Sequence, residues 1–115
     1  MAATPSRKDV WLVDLEPVRG HEQGRTRPCV VVSDDLFNHG PAGLVVVVPL
    51  TTRDRGIPLH VRVDPPDGGL QQPSFIKCED VRSISVERLL SRWGAISDPV
   101  MRDVEDRLRI LLHLF

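Results

Sequence analysis

This sequence carries no excess of charge of either sign. It sets 15 Lys and Arg against 16 Asp and Glu over 115 residues, for a formal net charge of -1. A chain without a global basic field does not hold duplex nucleic acid non-specifically, because that binding rests on many phosphate contacts. Cysteine is nearly absent as well. Cys29 and Cys78 lie far apart, each in an apolar, strand-like setting, and both read as reduced core residues rather than a disulfide framework. His21, His39, His60 and His113 form no paired motif, so there is no metal-ligand spacing and no cofactor is expected. No apolar run is long enough to span a bilayer, and Met1 to Lys8 lacks the apolar core of a secretion signal. No membrane association is expected, and the cytoplasm is the expected compartment. Internal repeats, heptads and low-complexity segments are also missing. A chain of this length makes one domain with a modest core and no room for a separate cofactor domain.

What is present is a series of short strand signals separated by turns. Residues 1–8 read as a flexible N-terminal arm, and 9–115 as the single domain. Val10 to Leu15 alternates, with Trp11 and Val13 on one face. Pro28 to Ser33 is a β-branched run expected to be buried on both faces. Residues 34–43 form a loop with at most one helical turn, and Leu44 to Leu50, with four valines in a row, is the strongest strand signal. Further strands are expected over Leu59 to Val63, Ser74 to Cys78, Val81 to Ile84 and Arg92 to Ile96. Ser85 is placed to cap a short helix through Leu90. Asp98 as N-cap, with Pro99 in the first turn, starts a terminal helix whose stripe is Val104, Leu108, Leu111 and Leu112. On that helix Asp103 with Arg107, and Glu105 with Arg109, are expected as pairs four apart. The stripe packs on the parent sheet or forms a dimer seam. Trp11 and Trp93 are expected as core or interface anchors. The pattern is that of a small, partly open β-barrel, mainly β with a C-terminal helix.

The loop Gly20-His21-Glu22-Gln23-Gly24-Arg25-Thr26-Arg27-Pro28 runs straight into the apolar strand Cys29-Val30-Val31-Val32. Glycines let a ligand approach the backbone, and arginine presents a planar fork of donors matched to phosphate oxygens. Together with Asp9-Val10-Trp11-Leu12-Val13-Asp14-Leu15, Val47-Val48-Pro49-Leu50-Thr51-Thr52 and Ile84 through Ile96, it resembles the MazF/PemK family of toxin endoribonucleases of type II toxin–antitoxin systems. The resemblance covers nearly the whole chain from Asp9 onward. It departs at Lys8, where the family has Gly, and at Arg25, where the family has a small residue; Arg25 adds a cation beside the loop.

The resemblance implies an SH3-like barrel of the CcdB/PemK type. It also implies a homodimer that cuts single-stranded RNA without a metal and is neutralised by a cognate MazE-like antitoxin. The family's catalytic arginine falls on Arg27 and its catalytic hydroxyl on Thr51. A glutamate implicated in some members falls on Glu22, which either takes the 2'-hydroxyl proton or holds Arg25 or Arg27 in place. Gln23, Arg25, Thr52, Arg53 and His60 are the further residues expected to touch RNA. For Arg53, and equally Arg55, the alternative is a solvated loop side chain; for His60 it is an exposed strand face. RNA brings its own nucleophile, the 2'-hydroxyl, so the expected products are a 2',3'-cyclic phosphate and a 5'-hydroxyl. Two other functions fit the same barrel: a gyrase-poisoning toxin and a non-catalytic binding module. The gyrase-directed class ends in Trp-Gly-Ile, whereas this chain ends His113-Leu114-Phe115 and its Trp93-Gly94 is internal.

Overall fold

The four consecutive valines lie within β3 (Leu44–Thr51), and the sheet is built around them. A strand that is apolar on both faces needs cover on both. The computed structural model describes residues 4–15 and 26–115. Along its length β3 pairs antiparallel with three strands: β6 (Arg82–Ser85) at its start, β2 (Thr26–Val31) in its middle and β5 (Ser74–Lys77) at its end. β2 also pairs with β1 (Asp9–Asp14), β1 with β7 (Leu89–Ala95), and β5 with β4 (His60–Val63). The order is β4-β5-β3-β2-β1-β7, with β6 beside β3 off this path, so the antiparallel sheet does not close.

Side-chain alternation divides the core in two. Cys29 and Val31 of β2, Val45 and Val47 of β3, and Trp11 and Val13 of β1 gather on one face with Ile84 and Leu89. Val30, Val48, Leu50 and Val10 gather on the other, where Met101 and Val104 of α2 (Asp98–Leu112) cover them. β2 is therefore buried on both faces, as its sequence implies. Each fully buried valine contributes roughly 1.5–3 kcal/mol, so the valine run is a main source of the fold's stability.

Three local expectations are corrected. Ser85 does cap a turn, its Oγ accepting from the Glu87 N–H at 3.2 Å, but only a single 3-10 turn, Val86–Arg88, follows. Pairing of Leu89 with Val13 draws the chain into β7 instead. The terminal helix is N-capped at Ser97, one residue earlier than expected, with Pro99 in its first turn. The Asp67 carboxylate accepts from the Ser97 N–H at 2.8 Å and from its hydroxyl at 2.7 Å, tying the 67–70 turn to the helix start. The charge pairs on α2 also differ. Glu105 meets Arg7, Arg109 bonds Asp106 at 2.9 Å, and Arg107 donates to the Pro58 carbonyl at 3.3 Å. An exposed pair four apart is worth only tenths of a kcal/mol, so Glu105 and Arg107 take partners from other elements and Arg109 takes one three residues back on α2.

Part of the expected flexible arm is pinned. The Asp9 carboxylate accepts from the Ser6 N–H at 2.9 Å, Arg7 N donates to Asp35 at 2.8 Å, and Lys8 N donates to the Val31 carbonyl at 2.8 Å. Asp9 is itself buried and also takes bonds from Trp11 Nε1 at 3.1 Å and Arg92 Nε at 3.1 Å. A buried carboxylate so fully bonded is a structural fixture that joins the first strand to the last. Of the apolar stripe on α2, Val104 is buried and Leu108 packs against the core, while Leu112 is 52% exposed. No helix among the described residues is long and apolar enough to cross a membrane.

Candidate active site

The register between β2 and β3 puts the two chief candidates together. Cys29 lies opposite Pro49, Val30 opposite Val48 and Val31 opposite Val47. Carried two residues past the end of this ladder, the same register points Arg27 toward Thr51, and the two line one cavity. Side chains two apart on a strand share a face, so both project on the side of Cys29 and Pro49. There the β2–β3 ladder ends, while on the other edge of β3 Leu50 and Thr51 pair with Ile76 and Phe75 of β5. Past the end of that ladder lies a cavity of about 500 Å3, lined by Arg27, Pro28, Leu50, Thr51, Thr52, Arg53, Arg55, Ser74 and Lys77.

Four basic side chains and no acidic one are among the described residues that line this cavity. A chain with no net basic charge thus concentrates cations at one place. Thr51 Oγ1 accepts from the Arg53 N–H at 3.2 Å, which leaves the hydroxyl proton to be donated outward. Beyond Arg27 and Lys77 the cavity continues into a second one of about 570 Å3, where Arg82 joins them and Glu79 and Asp80 add negative charge. Lys77 is held by Asp80 at 2.9 Å. Cys29 lies beneath, and burial pushes its thiol up from 9.0 to about 12, against the opposing pull of the Arg82 and Arg27 guanidiniums. The Cys78 thiol is likewise raised to about 12, chiefly by burial. Both cysteines are free, buried and kept neutral, which makes them inert rather than nucleophilic.

Of the residues singled out from sequence, Arg27, Thr51, Thr52 and Arg53 are brought to one cavity, and Arg55 with them. Glu22, Gln23 and Arg25 lie outside the described residues. His60 goes elsewhere. Its side chain is only 3% exposed, and its Nε2 sits 2.7 Å from Glu79 Oε2. It is therefore neither a groove-facing residue of the cavity nor part of an exposed strand face. β4 turns it inward because His60 pairs with Lys77 at the sheet edge, where the segment carrying Glu79 covers it. Ser74, Lys77 and Arg82 were not singled out. They reach the site only because β5 and β6 dock on β3, which no local pattern in the sequence announces. Trp11 is a core anchor at 9% exposure, whereas Trp93 is 41% exposed.

An antiparallel sheet of this order, with a terminal helix over one face and a cationic cleft past the end of the β2–β3 ladder, makes a small, partly open β-barrel. The chain belongs to the PemK-like, MazF-like toxin family of type II toxin–antitoxin systems, whose description matches residues 6–112. It is 34% identical over 109 residues to Endoribonuclease EndoA of Bacillus subtilis (strain 168), covering 94% of each chain. Among solved structures it is similar to MazF (Form-I) from Deinococcus radiodurans, with a TM-score of 0.83, 26% identity, and coverage of 96% of this chain and 98% of that one. It is also similar to the MazE–MazF (Form-II) crystal structure from the same organism, with a TM-score of 0.80, 26% identity, and coverage of 98% and 99%.

Proposed function

We propose that this toxin is an endoribonuclease that cleaves single-stranded RNA in the Arg27–Thr51 cavity. Membership of the toxin family and the likeness to an endoribonuclease support the activity, and they disfavour the gyrase-poisoning and non-catalytic alternatives. The observation that carries the site is the cavity itself, with Arg27 and Thr51 on its walls among three further cations.

The 2'-oxygen of one nucleotide attacks the adjacent phosphorus, and the bond from phosphorus to the next 5'-oxygen breaks. One proton leaves the 2'-hydroxyl and one is taken up by the departing 5'-oxygen. Alignment of that attack is worth on the order of 7–11 kcal/mol. Arg27 neutralises the charge that builds on the non-bridging oxygens, and Thr51 donates its hydroxyl to one of them. Glu22 is the proposed acceptor of the 2'-proton, a role worth roughly 10²–10⁴-fold. Gln23, Arg25, Thr52 and Arg53 are proposed to hold the strand, with no metal ion required at any step. The products are a 2',3'-cyclic phosphate and a 5'-hydroxyl.

A MazE-type antitoxin is the proposed neutralising partner, supported by the likeness to the toxin of a MazE–MazF complex. A homodimer is the proposed assembly. The apolar side chains left uncovered near the end of α2, Ile110 at 64%, Leu112 at 52% and Leu114 at 56% exposed, support it. The test is to incubate the purified protein with mixed RNA in EDTA. Cleavage that Arg27→Ala abolishes, with an unchanged circular dichroism spectrum, is the expected result. Downstream fragments that carry a 5'-phosphate would reject the mechanism, and intact RNA across varied sequences would reject the activity.

A further inference from the structure

At its other end the cationic cavity opens into a third, of about 500 Å3, which shares Pro28, Thr52 and Ser74 with it. The remaining lining is Gly69, Leu70, Gln71, Gln72 and Trp93, so no ionisable side chain is among the described residues around it. The position is held by close backbone packing. Gly69 has φ +72, and a Cβ built there would lie 2.1 Å from the Trp93 carbonyl oxygen. A Cβ on Gly94 would lie 2.9 Å from backbone atoms of Gly68 and Gly69. Three glycines thus let the turn that carries Gln71 and Gln72 lie directly on β7 beside Trp93. The Asp67–Ser97 bonds fix the same turn from below.

This chemistry differs from that of the cleft next door. An indole is a flat stacking surface, and each glutamine amide offers a carbonyl acceptor and an NH2 donor. Neutral donors and acceptors beside an aromatic plane suit the edge and face of an unpaired nucleobase, not a phosphate. We infer that Gln71, Gln72 and Trp93 form a base-reading subsite that selects the nucleotide next to the scissile linkage. The occupant is one splayed base of the single-stranded RNA whose backbone lies in the cationic cavity. The inference rests on the endoribonuclease reading of the Arg27–Thr51 site and adds to it the position where sequence is discriminated.

The experiment compares wild type, the double variant Gln71→Ala/Gln72→Ala, and Trp93→Ala on an RNA pool randomised around the cut, with the 5' ends of the products sequenced. Both glutamines are exposed turn residues, so the double variant keeps the fold even if Trp93→Ala does not. At one position adjacent to the cut, the glutamine variant is expected to lose most of the wild-type base preference. Trp93→Ala is expected to raise KM roughly tenfold with little change in kcat, as loss of a stacked base does. Wild-type cleavage with an unchanged preference in the glutamine variant overturns the subsite and leaves the nuclease standing. Unchanged preference with a shifted oligomeric state for Trp93→Ala assigns that face to a subunit contact and overturns the subsite too. No cleavage by wild type defeats the underlying activity instead.

Discussion

Thr52 and Ser74 stand where two unlike cavities meet. On one side Arg27, Arg53, Arg55 and Lys77 surround Thr51; on the other Gln71, Gln72 and Trp93 surround a space with no ionisable side chain among the described residues. The two spaces are of the same size, about 500 Å3 each, so volume does not set their roles. Composition does. Phosphates are identical along any RNA, and a cluster of cations grips them without reading sequence. Bases differ in their edges, and neutral hydrogen-bonding groups discriminate among them. Placing the two side by side in a chain of net charge -1 confines the proposed RNA affinity to one groove. Perturbing each half separately tests the division.

The largest effect is expected in the charged half. Arg27→Ala should lower the cleavage rate by about 10²–10³-fold, the usual cost of losing one preorganised donor at a developing anion. The neutral half should remain intact, so Trp93 fluorescence should still report binding of an RNA oligonucleotide to this variant. A variant that cleaves within a few-fold of wild type would remove Arg27 from the chemistry. Thr51 comes next. Loss of a hydroxyl donated to a charged oxygen is worth about 1.5–3 kcal/mol, so Thr51→Ala should cost about 10- to 100-fold. Thr51→Ser keeps both the donor and the acceptor for the Arg53 N–H and should recover most of the rate. Equal losses in the serine and alanine variants would point to the Thr51 methyl, not its hydroxyl, and sink the proposed role.

Most of the charged half was legible in the sequence and the neutral half was not, for a physical reason. Arg27 and Thr51 each adjoin a strong strand signal, and the antiparallel register of two such strands brings their ends together. Gln71 and Gln72 sit in a turn-rich connection, and Trp93 sits in a strand where an apolar residue reads as core. What joins them is the seating of Gly68 and Gly69 on Trp93 and Gly94, a long-range backbone contact with no local pattern. Lys77 and Arg82 were hidden likewise by strand pairing. His60 failed in the opposite direction: its polar character suggested a surface role, but it is buried and bonds the half-buried Glu79 at 2.7 Å. Glu22, Gln23 and Arg25 fall outside the described residues, so their placement rests on the motif alone.

The glycine seating gives the third test. An L-residue at the φ of Gly69 costs about 1–2 kcal/mol, and the added Cβ also strikes the Trp93 carbonyl. Gly69→Ala should therefore lower the urea midpoint and displace Gln71 and Gln72. The expected functional signature is a blurred base preference, with cleavage of an optimal RNA reduced less than in Thr51→Ala. Destabilisation with sharp preference retained would separate the turn from sequence reading.

The smallest effect separates the halves by salt. For single-stranded nucleic acid, each phosphate contact contributes about 0.7 to the slope of log K against log salt. Lys77 lines the charged cavity, and its ammonium, bonded to Asp80 at 2.9 Å, keeps two further donors for one phosphate. Lys77→Ala should weaken RNA binding modestly and flatten the salt slope by about 0.7, equally for every sequence. Gln72→Ala should leave that slope unchanged while altering affinity for only some sequences. The measurement is a fluorescence titration of each variant against two RNAs of different sequence at several salt concentrations. A slope that changes with Gln72→Ala, or a sequence-dependent loss with Lys77→Ala, would mean that both cavities share one task.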